Sequence, residues 1–234
     1  MAFDSSGNLY VANQGLGQII EITPGGSQSI FASGFTLVQA LTFDSSGNLY
    51  AADDGNNTIT KITPGGSQSL FYGGLAGPLG MVFSSTTNLL YEADWNTGTV
   101  NKIDLSANLS VLATGFNSPE DLAVDASGNI YESDFNTNSI MKITPGGSVS
   151  TFASGLNGPE GLTFDSSGNL YELDRGSGDI NKITPGGSVS FFTTGVATSG
   201  YFVTQPAPAP EPSTVVLLVG ALGISGALGR KRRS

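Results

Sequence analysis

The chain of 234 residues contains no cysteine and no histidine. Without cysteine there is no disulfide framework, no thiolate nucleophile and no thiolate-bound metal. Without histidine the commonest general base is missing, and with it the Ser-His-Asp triad and ordinary zinc catalysis. Charge is scarce as well, at 12% of residues, and tryptophan occurs once. Most of that charge has one sign: before Pro206 stand 18 acidic residues against 5 basic ones, while Arg230, Lys231, Arg232 and Arg233 crowd the end. A body of that sign repels phosphate backbones, which argues against nucleic acid as a partner and suits a soluble or Ca²⁺-attracting surface.

Glycine, in contrast, is abundant, with 33 residues, and 38% of the chain is hydrophobic, a balance that fits many short strands joined by tight turns. The strands come in units. Tyr10, Tyr50, Tyr91, Tyr131 and Tyr171 recur every 40 or 41 residues in matching contexts. The fifth unit is the fullest: Gly158-Pro-Glu-Gly-Leu-Thr-Phe-Asp165, Ser-Ser-Gly-Asn169, Leu-Tyr-Glu-Leu-Asp174, Asp179-Ile-Asn-Lys-Ile-Thr184, Pro-Gly-Gly-Ser188 and Val-Ser-Phe-Phe-Thr193. In Asp165-Ser-Ser-Gly-Asn169 the aspartate can accept from backbone N–H groups ahead of it while Gly168 supplies positive φ, and the string recurs at Asp4 and Asp44. Pro185-Gly186, repeated at Pro24, Pro64 and Pro145, marks a second turn.

Four strands per unit cannot bury both faces alone, but a ring of such sheets can, so the expected fold is all-β: a propeller of four-stranded antiparallel blades. A flat β-solenoid is the alternative. The units fall near 1–34, 35–74, 75–115, 116–155 and 156–195, and Gly195 to Thr204 aligns with Gly155 to Phe164 as one more inner strand, giving a propeller domain over 1–204. Met1-Ala-Phe-Asp4 aligns with Leu162-Thr-Phe-Asp165, so the chain opens inside a strand. The expectation is a truncated product lacking its export signal and one blade of a six-bladed parent.

The string Gly-Pro-Glu-Gly-Leu-Thr-Phe-Asp with Gly-Asn-Leu-Tyr-Glu-Leu-Asp and Ile-Asn-Lys-Ile resembles the NHL repeat and the related gluconolactonase-like and streptogramin-lyase-like propellers. That resemblance speaks strongly for fold and weakly for function, because such propellers include hydrolases, lyases and interaction platforms. The lyase resemblance implies a catalytic histidine, which this chain lacks.

From Gln205 the composition changes. Residues 205–213 form a proline-rich linker, 214–229 an uncharged apolar segment expected as a C-terminal hydrophobic helix, and 230–234 a basic end. The apolar segment is short of the roughly 20 residues that comfortably cross a bilayer, which suits transient inner-membrane insertion. The basic end would stay cytoplasmic by the positive-inside rule. This order resembles the PEP-CTERM sorting signal, with Pro210, Glu211, Pro212 and Ser213 as its motif and Arg230, Lys231, Arg232 and Arg233 as its basic stop. The resemblance implies processing by an exosortase and delivery to the cell surface or its exopolysaccharide matrix.

Candidate sites are few. Glu120 and Glu160 enter the innermost strands, where Gln39 and Leu79 stand in other units, and carboxylates at a channel mouth are a candidate Ca²⁺ site. Glu92, Glu132 and Glu172 follow the repeated tyrosine. Asp53, Asp94, Asp134 and Asp174 end second strands and read as turn caps. Trp95, Phe135 and Arg175, each just after a second strand, are expected on one rim, where aromatic faces and a guanidinium suit a sugar or carboxylate ligand. Lys61, Lys102, Lys142 and Lys182 share one register, with Glu21 in the same slot, and read as solvent-facing. No catalytic residue is assigned. The leading functional expectation is an exported, non-catalytic scaffold that binds exopolysaccharide or a surface protein and needs no cofactor. The alternative is a Ca²⁺-dependent lactonase-like hydrolase.

Overall fold

The computed structural model describes residues 1–195, which form five four-stranded antiparallel sheets, each with its strands in chain order. Blade 1 holds β1 (Ala2–Phe3), β2 (Leu9–Asn13), β3 (Gln18–Ile22) and β4 (Gln28–Ser33). Blade 2 holds β5 (Val38–Phe43), β6 (Leu49–Asp53), β7 (Thr58–Ile62) and β8 (Gln68–Gly73). Blade 3 holds β9 (Pro78–Ser84), β10 (Leu89–Asp94), β11 (Thr99–Asp104) and β12 (Leu109–Thr114). Blade 4 holds β13 (Pro119–Val124), β14 (Ile130–Asp134), β15 (Ser139–Ile143) and β16 (Val149–Ser154). Blade 5 holds β17 (Pro159–Phe164), β18 (Leu170–Asp174), β19 (Asp179–Ile183) and β20 (Val189–Thr193). This is a five-bladed β-propeller, as the repeat predicts. The inner strands β5, β9, β13 and β17 pack in succession, and β1 packs on β5. The further inner strand expected near 196–204, the linker, the hydrophobic helix and the basic end lie outside the described residues.

The turns form as their sequences dictate. Asp44 Oδ1 accepts the N–H groups of Ser46 and Asn48 at 2.9 Å, Oδ2 accepts Asn48 Nδ2 at 2.8 Å, and Gly47 takes φ +79°. The Pro-Gly turns close the same way, with Thr63 Oγ1 accepting the N–H of Ser67 at 3.2 Å and Gly66 at φ +83°. Apolar clusters fill the spaces between successive blades. Ala123, Tyr131, Ile140 and Ala153 of blade 4 bury against Leu162, Leu170 and Ile183 of blade 5. Tyr131 meets Phe152 of its own blade and Phe164 of the next edge-on, with centroids 4.7 and 5.0 Å apart. The second strands are buried throughout: blades 2 and 4 pack between neighbours on either side, and all five residues of β6, β14 and β18 are buried, acids included.

That burial changes the reading of charge. Eleven of the acidic residues are buried, among them Glu92, Glu120, Glu132, Glu160, Glu172 and the four second-strand aspartates, so most of the acidity belongs to the interior rather than the surface. The lysines depart from a simple solvent-facing role. Lys61, Lys142 and Lys182 hold Nζ over the rings of Tyr50, Tyr131 and Tyr171 at 5.5, 5.3 and 5.6 Å. In blade 1 Glu21 takes the same slot and accepts the Tyr10 hydroxyl at 3.1 Å.

Candidate binding site on the blade rim

Antiparallel order puts the turn after each second strand and the loop that enters each blade on one face of the propeller. The second-strand aspartates join them. Asp53 accepts the N–H groups of Thr36 and Leu37 at 3.0 and 2.8 Å and Asn56 Nδ2 at 2.8 Å, so one carboxylate ties the entry loop of blade 2 to its own turn. Asp94 holds the N–H of Ala76 at 2.7 Å, Asp134 that of Asn117 at 2.9 Å, and Asp174 that of Asn157 at 2.7 Å. The capping role read from sequence is present, since Asp94 and Asp134 also accept from Thr97 and Thr137. The grip on the entry loop is the added element. A further tie crosses between blades: Asn57 and Asn138, both left-handed, accept the N–H of Gly77 and Gly158 at 3.0 and 2.8 Å.

On this framework, between blades 4 and 5, lies a cavity of about 420 Å³. Phe135 and Arg175 flank it, and the carboxamides of Asn136, Asn138 and Asn157 line it. Gly158 makes the room: at φ +69° a Cβ there would lie 2.9 Å from Phe135 Cε2. Gly176 does the same for Asn157, whose side chain occupies the space of the missing Cβ. The Arg175 guanidinium carbon lies 5.8 Å from the Phe135 ring centroid and Nη1 lies 3.7 Å from Glu160 Oε1. The arginine is 38% exposed, so the cation stacks on an aromatic face, is neutralised from below and still meets solvent. Asn136 Nδ2 donates to Asn117 Oδ1 at 3.1 Å and to Ser118 Oγ at 2.6 Å, fixing that side chain toward blade 3.

The three rim residues expected from sequence thus occupy equivalent turn positions on consecutive blades. Phe135 and Arg175 meet in one cavity, and Trp95, 40% exposed, stands one blade further round. In blades 1 and 2 that position holds Gln14 and Asp54. The asparagines of the cavity had no individual signal in the sequence. They come from two segments, the turn after β14 and the loop that enters blade 5, which meet only when the blades pack.

The inner acids behave differently. Glu120 on β13 and Glu160 on β17 are both buried, Glu160 is engaged by Arg175, and Glu120 is close enough to Glu132 to help raise its pKa. Among the described residues no group of three or more acidic side chains is placed to hold a metal ion, and Glu120 and Glu160 do not make up a Ca²⁺ ligand set. Asp121 is pushed up to about 7 by burial, against the pull of hydrogen bonds from the N–H groups of Leu162 and Leu122. Burial raises Glu92 to about 8 and Glu172 to about 9, and lifts Glu132 well above the ordinary carboxyl range. Among the described residues neither carboxyl oxygen of Glu132 has a hydrogen-bond partner. Asn101 and Asn181 donate to Glu92 and Glu172 at 2.9 and 3.1 Å.

No family description matches the chain, and no curated protein sequence matches it. Solved structures do. The chain is similar to virginiamycin B lyase from Staphylococcus aureus (17% identity, 86% of this chain, 72% of that one, TM-score 0.73). A similar likeness joins it to a chain of a nidogen–laminin complex (21%, 82% and 78%, TM-score 0.76) and to a gluconolactonase from Xanthomonas campestris (16%, 88% and 78%, TM-score 0.77). At these identities the likeness is one of fold: the chain is a β-propeller of the architecture found in a lyase, a gluconolactonase and a chain of the nidogen–laminin complex.

Proposed function

We propose that this protein is a non-catalytic, saccharide-binding propeller that works outside the cell, at the surface or in the exopolysaccharide matrix. The observation that carries the reading is the cavity between blades 4 and 5, where an aromatic face, an exposed guanidinium held by a carboxylate and three carboxamides converge. Pyranose rings offer an apolar face for stacking and hydroxyls that both donate and accept, which matches that set. Histidine-based chemistry is out of reach, since the chain has none. In one solved relative, a histidine-to-alanine variant of the lyase is catalytically inactive. Export through the C-terminal signal, with an exosortase as processing partner and a transient membrane intermediate, belongs to the same proposal and rests on the order of linker, apolar segment and basic end.

Two measurements test it. Binding to a carbohydrate array should be seen with the full-length chain and lost on Phe135→Ala or Arg175→Ala. In the producing cell, fractionation should find the propeller outside the inner membrane and without its last residues. Retention in the cytosol at full length would end the export part and leave the binding part standing.

A second reading, lactone hydrolysis, is favoured by the gluconolactonase-like fold and by the buried pair Glu120 and Glu132 near the inner strands. Hydrolysis of a sugar lactone that is abolished by Glu120→Gln would establish it over the scaffold reading.

A further inference from the structure

We propose that the rim binds an extended, uncharged polysaccharide laid across blades 3, 4 and 5, with Trp95, Phe135 and Arg175 as successive platforms. The proposal rests on the saccharide reading of the cavity and goes further, to the length and charge of the ligand.

Length follows from the blade order. The three side chains occupy one turn position on three consecutive blades, and face-packed sheets stand about 10 Å apart, so Trp95 and Arg175 lie on the order of 20 Å from one another along the rim. A single sugar ring cannot touch both. Between them the contact is continuous in chemistry: the Asn136 side chain reaches back to Asn117 and Ser118 in the loop that joins blades 3 and 4. The track ends where the residue type changes, at Asp54 in blade 2. It is therefore a feature of three blades and not of the whole ring.

Neutrality follows from the polar partners. Among the described residues Arg175 is the one cation lining the cavity, and Glu160 lies against it at 3.7 Å. The other polar groups lining it are carboxamides, which carry no charge and pair with hydroxyls. An acidic polymer would have to compete with Glu160 for the guanidinium and gain no second cation. A hydroxyl-rich neutral chain can accept from Arg175, donate to the carboxamide oxygens and stack on Phe135 and Trp95 without disturbing the ion pair.

The test uses the full-length chain against neutral glucans, galactans and mannans alongside alginate and polygalacturonate. It is followed by calorimetry with oligosaccharides, from two to six sugars, of the neutral polymer bound. Trp95 is the only tryptophan, so its emission reports directly on the far end of the track. Affinity should rise at least tenfold from disaccharide to hexasaccharide, and the emission should shift only with the longer ligands. Trp95→Ala should weaken hexasaccharide binding at least fivefold and leave disaccharide binding unchanged, whereas Phe135→Ala should weaken both. Equal affinity at all lengths with unchanged emission would overturn the track and leave a one-cavity saccharide site. Preference for either polyuronate would overturn the neutral assignment. Failure to bind any of the five polymers would overturn the saccharide reading itself.

Discussion

Replacing Glu172 by glutamine should stabilise the protein at neutral pH and leave it unchanged in acid. Glu172 is buried in β18, facing Asn181 of β19, which donates to its Oε2 at 3.1 Å, and Asp174 of its own strand, whose charge adds to the effect of burial. Together they push its pKa from an ordinary 4.5 to about 9. A folded-state pKa above the unfolded one means that the folded form holds a proton the unfolded form has released. The associated stability is complete below about 4.5 and declines as pH rises toward 9. The decline is about 1.4 kcal/mol per pH unit, so at pH 7 the folded chain has given up roughly 3 kcal/mol at this one residue. Glutamine keeps both contacts of the protonated acid, accepting from Asn181 and donating to Asp174, and has no proton to lose. Denaturant unfolding followed by Trp95 emission should give equal stabilities for the two proteins at pH 4. Above about pH 4.5 the gap should widen, to about 3 kcal/mol at pH 7. Asp104 and Asp165, whose turn hydrogen bonds hold them below the ordinary 3.8, act in the opposite sense and only in acid, so they do not obscure the comparison. A gap independent of pH, or a variant less stable at pH 7, would refute the argument that Glu172 is held neutral in the fold.

Asp53→Ala should cost about 2 to 4 kcal/mol by denaturant unfolding, because it leaves three donors of the blade 2 entry loop and turn without their acceptor. Gly158→Ala should lower stability by about 1 to 2 kcal/mol through the strain of positive φ, and should weaken saccharide binding by driving Phe135 aside, both read on the same preparation. Tyr131→Phe, which loses the 3.3 Å hydroxyl bond to Asp125 and the hydroxyl's interaction with Lys142, should cost about 1 kcal/mol. Tyr131→Ala, which also removes the contacts with Phe152 and Phe164, should cost about 3 to 5 kcal/mol in the same unfolding assay.

The blades were legible because their turn chemistry is local. Asp44 to Asn48 carries its aspartate, its positive-φ glycine and its closing asparagine within five residues, and the three hydrogen bonds that result need nothing from elsewhere in the chain. The inner acids were not legible for the opposite reason. In a strand with one wet face, Glu172 beside Tyr171 would point to solvent. In β18 all five positions are buried, whichever face they point to, and the carboxyl is buried with them. Asp53 was half legible: its turn is local, but the two N–H groups it also holds lie 16 and 17 residues earlier. The cavity was hardest, since its walls come from three segments that meet only after the blades pack, and the one available clue was that Phe135 and Arg175 share a place in the repeat.

That clue bears on function as well as on fold. A repeat maintained at strands and turns shows which positions the propeller needs: the aspartate clamp recurs in four blades, and the tyrosine between sheets in all five. The residue directly after the clamp is under a looser constraint, because its side chain stands at the rim and its type is not repeated. There the five blades show Gln14, Asp54, Trp95, Phe135 and Arg175, five different side chains on one scaffold. Exposing a tryptophan at 40% leaves apolar surface in water, and the body's only arginine, while it neutralises Glu160, also lies over a phenylalanine ring at the surface. The proposed saccharide would cover these features. Because they sit on adjacent blades at one register, the proposed ligand is one laid along the rim rather than a molecule lodged in the axis.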